Sequence, residues 1–63
     1  MDLSGYIKKS GLKKSYLASM LGCSRARLYM IMKDTSTARC SEVKILVREL
    51  GITKDDRDSI FFA

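Results

Sequence analysis

The stretch from Leu17 to Met32, LASMLGCSRARLYMIM, constrains this chain more tightly than any other. Leu17, Ala18 and Leu21 fall at i, i+1 and i+4, the apolar stripe of a short helix. Gly22 ends that helix, because a residue without Cβ takes the left-handed conformation of a C′ position at little steric cost. Ser24 then offers an N-cap, and Leu28 and Ile31 resume the apolar stripe at i, i+3. Two helices joined by a short turn containing Gly form a helix-turn-helix unit, spanning about residues 14–33.

The second helix of the unit opens with Ser24-Arg25-Ala26-Arg27, placing two guanidiniums in its first turn. That arrangement suits DNA, because the N-terminal residues of the second helix are the ones that reach the major groove in this motif. The charge distribution agrees. Residues 1–39 hold eight basic side chains against two acidic ones, +6, whereas residues 40–63 hold four against five, −1. A field concentrated on the half that holds the motif is the footprint of a polyanion binder; a lysine-rich solvated surface is the plainer alternative.

The remaining residues read as further short helices. Leu3, Tyr6 and Ile7 lie at i, i+3, i+4, predicting a helix over 3–9 that starts at Asp2 and breaks at Ser10-Gly11. Leu12 anchors the approach to a second helix over 14–21, and a third runs from Arg25 to Met32 or Lys33, with Leu28 and Ile31 inward. Asp34-Thr35-Ser36-Thr37 is a polar loop of turn formers. Val43, Leu46, Val47 and Leu50 give a clean helical period over 40–50, closed by Gly51. Thr53 and Asp56 have the spacing of a capping box with Asp in place of Glu, opening a last helix over 54–61. One or two of Ile60, Phe61 and Phe62 must close the core, which leaves an aromatic spare for a second subunit.

Sixty-three residues make one small all-α domain with a thin core and no room for a large cleft. No apolar run approaches the roughly 18 residues of a membrane span, and no signal-peptide pattern opens the chain, so a cytoplasmic location without membrane contact is expected. Cys23 and Cys40 are then expected to stay reduced and to serve as buried structural thiols. With no His and only two Cys, a zinc site lacks ligands, and no other metal or cofactor is implied. An enzyme is not expected: there is no glycine-rich phosphate loop or paired nucleophile and base, and Asp55, Asp56 and Asp58 suit a helix start. A cationic membrane-active peptide would spread its basic residues throughout, unlike this chain with its acidic C-terminal half.

Leu17-Ala18-x-x-Leu21-Gly22-x-Ser24-Arg25-x-x-Leu28 resembles the lambda-repressor-like (Cro/cI, XRE-type) helix-turn-helix domain. Ser41-Glu42-Val43 through Leu50-Gly51-Ile52-Thr53, followed by acidic residues and Ile60-Phe61-Phe62, is similar to the tail of small temperate-phage and prophage regulators. The resemblance covers about residues 5–62 and implies five packed helices. It also implies sequence-specific binding of double-stranded DNA, often as a homodimer, in transcriptional control of the kind that operates a lysogeny switch. Five positions depart from the family pattern: Lys14 where Gln is frequent, Lys13 for a hydroxyl N-cap, apolar Tyr16 and Met20 where polar residues are common, and Met30, which offers a base no hydrogen bond.

Arg25 is the candidate for base readout, since a guanidinium bonds bidentately to guanine O6 and N7 for roughly 1–3 kcal/mol of discrimination; its simpler role is a phosphate clamp. Ala26 and Met30 could meet thymine methyls, and Tyr29 a base edge or a phosphate. Phosphate contacts are expected from Lys14, Ser24, Lys33, Thr35, Ser36 and Arg39, and from Arg27 unless it pairs with Asp34. Tyr16 and Met20 either pack on Tyr6 or Ile7, or form with Phe62 an apolar surface for a protein partner. In that second case the chain would be an antirepressor or modulator that keeps the fold and occupies a phage repressor. Whether the first helix covers Tyr16 and Met20 separates the two.

Overall fold

Local capping chemistry sets where four of the five helices begin. The structure, a computed structural model, describes residues 2–62 and places five α-helices and no strand among them. The Asp2 carboxylate accepts from the Gly5 N–H at 2.8 Å and starts α1, Leu3–Ser10. Helix α2 spans Lys14–Leu21 and α3 spans Arg25–Lys33, with Ser24 as its N-cap. The stretch after α3 is one turn of 3₁₀ helix, Thr35–Thr37, where a polar loop was expected. Helix α4 covers Cys40–Leu50, and α5, capped by Thr53, covers Lys54–Phe61.

The apolar stripes converge on one interior. Leu3, Tyr6 and Ile7 of α1 meet Leu17 and Ala18 of α2, Leu28 and Ile31 of α3, Leu46 and Leu50 of α4, and Ile52. Leu17, Leu28, Ile31 and Leu46 lose all contact with water, and burying each such side chain contributes about 1.5–3 kcal/mol. Helix α5 has no fully buried residue; Ile60 and Phe61 pack on the core from its last turn, while Phe62 stays exposed. Polar ties hold α5 in place as well. The Tyr6 hydroxyl donates to an Asp56 carboxylate oxygen, and the Thr35 hydroxyl donates to the Ile60 carbonyl at 2.6 Å.

Both cysteines are free, and neither is the buried thiol expected of it. Cys23 is half-buried against the core, and Cys40, the first residue of α4, is exposed. Among the described residues, no helix is long and apolar enough to cross a membrane.

Candidate nucleic-acid interface

Gly22 turns the chain from α2 into α3 with φ +69°. Its N–H donates to the Ser19 carbonyl at 3.0 Å, and the Cys23 N–H reaches back to the Ala18 carbonyl at 3.0 Å. This is the two-bond Schellman closure, and it sets Cys23 at the position whose side chain folds back on the helix. One residue later the Ser24 hydroxyl oxygen accepts from the Arg27 N–H at 3.2 Å and starts α3.

Full burial of Leu28 and Ile31 fixes the roll of α3, and with it the outward face. Arg25, Ala26, Tyr29 and Met30 all lie on that face, with Tyr29 49% and Met30 54% exposed. The Lys14 ammonium, from the first turn of α2, sits 5.6 Å from the centre of the Tyr29 ring. That cation–π distance joins the start of α2 to the outer face of α3.

The residues expected to flank this face divide. Ser24, Lys33, Ser36 and Arg39 are exposed, though the Ser36 hydroxyl donates to the Asp34 carboxylate at 2.6 Å. Thr35 is half-buried and its hydroxyl proton is committed to α5 through the Ile60 carbonyl, which leaves it a poor phosphate donor. Asp34 does not pair with Arg27. Its carboxylate accepts from the Ser36 N–H and hydroxyl, which hold its pKa below the ordinary carboxylate value.

Arg27 turns inward to Glu42 instead. Its Nε donates to Glu42 Oε2 at 3.2 Å, and its Nη2 donates to Oε1 at 2.8 Å and to the Thr37 carbonyl at 2.8 Å. Glu42 is 7% exposed, and its Oε1 also accepts from the Arg39 N–H at 2.8 Å, completing the first turn of α4. Bonding to the guanidinium pulls the Glu42 pKa below its ordinary value despite burial, and the same bond raises that of Arg27. Arg27 therefore braces α3 against the turn before α4, and the phosphate role expected of it conflicts with this placement. Sequence reasoning missed Glu42. Its spacing three residues after Arg39 was the available signal, obscured because Arg39 carries no hydroxyl to mark a capping box.

Tyr16 and Met20 do not pack under α1. They remain 43% and 38% exposed, and the Tyr16 hydroxyl donates to Glu49 Oε1 on α4 at 2.8 Å. That bond, and the negative charge behind it, raises the phenol pKa above its ordinary value. Phe62 follows the last residue of α5, 59% exposed, its ring 5.9 Å from the Arg57 guanidinium carbon. No family model, curated protein or solved structure matches the chain.

Proposed function

We propose that this chain is a cytoplasmic, non-enzymatic transcriptional regulator of the Cro/cI-like helix-turn-helix type, binding operator DNA through α3. The observation that carries the reading is the outward face of α3: Arg25, Ala26, Tyr29 and Met30 exposed together, on a helix whose roll is locked by Leu28 and Ile31. Arg25 supplies a bidentate donor for guanine, and Ala26 and Met30 supply apolar contact for thymine methyls. Lys14, Lys33 and Arg39, with the Ser24 hydroxyl, are exposed and would serve as phosphate contacts that position without reading sequence, whereas the Ser36 hydroxyl, like that of Thr35, is already committed within the protein. One recognition helix per chain calls for two copies about one DNA turn apart, roughly 34 Å, and hence a homodimer on DNA.

The test is binding to the DNA upstream of the chain's own gene, with random-sequence duplex as control, from 50 to 200 mM salt. Tighter binding to the upstream fragment that weakens steeply with salt supports the proposal. Weak binding without preference refutes it. A second reading, a modulator that occupies a phage repressor protein, is favoured by one observation: Tyr16 and Met20 are left uncovered by α1. Under that reading Tyr16→Ala/Met20→Ala abolishes capture of a co-encoded repressor while leaving DNA binding as it was.

A further inference from the structure

We infer that the groove between α4 and the end of α5 docks a segment of another protein, one that presents a large apolar side chain flanked by aspartates or glutamates. The inference goes beyond the operator reading and makes no use of α3. Leu46 and Leu50 turn one side of α4 to the interior. Val43, Lys44, Val47 and Arg48 fall at i, i+1, i+4 and i+5, a second stripe on the same helix. Together with Arg57 and Phe62 that stripe lines a groove of about 290 Å³.

The groove combines an apolar floor with a cationic rim. Val43 is buried, Val47 half-buried and Phe62 exposed, and the Phe62 ring lies 5.9 Å from the Arg57 guanidinium carbon. Lys44, Arg48 and Arg57 supply the charge, and no carboxylate lines the groove. That sign is the reverse of its surroundings, since residues 40–63 hold five acidic side chains against four basic ones. Lys44 has no ion pair among the described residues. Arg48 and Arg57 meet only the carboxylates next to them in the chain, Glu49 at 3.5 Å and Asp58 at 3.0 Å. Such exposed pairs contribute little and yield readily to a better partner, and Glu49 is already shared with the Tyr16 hydroxyl.

Charge and size together select the occupant. A symmetric contact with a second copy through this groove would set the three cations against themselves. Nucleic-acid phosphates would match the rim but leave Val43, Val47 and Phe62 facing a hydrated backbone. A small-molecule site typically encloses about 300–1,000 Å³ and most of its ligand, more than this open groove provides. One apolar anchor seated on the two valines and the Phe62 ring, with carboxylates reaching Lys44, Arg48 and Arg57, uses every group present.

The experiment measures fluorescence anisotropy of labelled peptides with the folded protein at about 0.15 M salt, where distant charges are screened. Two peptides carry a central leucine or phenylalanine among aspartates and glutamates; one replaces the anchor by serine, and one replaces the acids by lysines. The variants are Phe62→Ala and Lys44→Glu/Arg48→Glu, all at exposed positions, with Lys8→Glu/Lys9→Glu as a control for net charge. Circular dichroism verifies folding. An anchored acidic peptide is expected to bind, and the serine and lysine peptides at least about tenfold more weakly. Phe62→Ala and the groove reversal each weaken the anchored peptide about tenfold or more, and the control less than about twofold. No binding of either anchored peptide up to about 1 mM overturns the inference, as does equal loss in groove and control variants. Dimerisation in sedimentation that Phe62→Ala abolishes would give the groove to a second copy instead. A fall of about 1.8 or more in the salt slope of duplex binding for Lys44→Glu/Arg48→Glu would give it to nucleic acid.

Discussion

Truncating one buried carboxylate tests how α3 is held. Glu42→Ala removes an acceptor from the Arg39 N–H in the first turn of α4, a capping interaction worth about 1 kcal/mol. It also removes the two-pronged acceptor for the Arg27 guanidinium, at 2.8 and 3.2 Å. Hydrogen bonds to charged groups contribute about 1.5–3 kcal/mol. The Arg27 side chain keeps 23% of its surface in water, which replaces part of what is lost, so the lower end applies, about 2 kcal/mol. The whole loss is then about 3 kcal/mol, against a total of about 3–9 kcal/mol for a chain of this length. Urea unfolding followed by helical circular dichroism at pH 7 reads this directly. A loss below about 1 kcal/mol would refute the assignment of Glu42 as the brace.

The same pair makes a prediction about acid. The pKa of Glu42 is lower in the folded chain than in the unfolded one, chiefly because the Arg27 guanidinium bonds to its ionised form. Its stabilisation is therefore complete well above the unfolded value of about 4.3 and disappears as the pH falls through the lower folded value. Glu42→Gln, which keeps an acceptor for the Arg39 N–H, flattens part of the acid limb of a stability–pH curve. A slope remains, because Asp34 and Asp56 are also held below their ordinary values, by bonds from Ser36 and from Tyr6. An acid limb identical to that of the wild type would remove Glu42 from this role.

Three further outcomes are expected. Gly22→Ala costs about 1–2 kcal/mol of stability for the left-handed backbone alone, since a Cβ there meets nothing within 4 Å; a cost below about 0.3 kcal/mol in urea unfolding would contradict this. Arg25→Ala lowers the upstream-to-random binding ratio about ten- to hundredfold, whereas Lys33→Gln weakens both duplexes alike and lowers the salt slope by about one; an unchanged ratio for the Arg25 variant refutes its reading role. Tyr16 titrates above an ordinary phenol by NMR, and Glu49→Gln brings it back down, because the Glu49 carboxylate is what disfavours the phenolate; an unmoved titration would exclude that bond in solution.

The helix limits were legible because their signals are local. The expected spans of α2, α4 and α5 match the observed Lys14–Leu21, Cys40–Leu50 and Lys54–Phe61, each bounded by chemistry within about three residues of its end. The 3.6-residue period likewise placed Leu28 and Ile31 inside and Arg25, Ala26, Arg27, Tyr29 and Met30 on outward or flanking faces, and all of these but the half-buried Arg27 are exposed. What escaped were relations set by how helices stand against one another. Arg27 and Glu42 are 15 residues apart, and nothing in the spacing says that α4 brings a carboxylate under α3. The polar run after α3 advertised a turn but not that the Asp34 carboxylate would be used up within it. Cys40 precedes Val43, the first buried apolar residue of α4, by most of a turn, and the helix begins there before reaching the packed interior.

Local periodicity and tertiary bracing together restrict what α3 can recognise. Its inner face is fixed by Leu28 and Ile31, and Arg27 is withdrawn to Glu42, so the free donors of the outer face reduce chiefly to Arg25 and the Tyr29 hydroxyl. Ala26 and Met30 beside them offer only apolar contact. In a major groove this combination matches the acceptors of a guanine lying near a thymine methyl. The sharpest consequence is for Arg27. Arg27→Met should weaken folding yet leave the salt slope of DNA binding unchanged, because the guanidinium is already neutralised by a protein carboxylate and has no counterion release to contribute. A slope lowered by about one would instead restore Arg27 to the phosphate contacts and show that the Glu42 pair opens on binding.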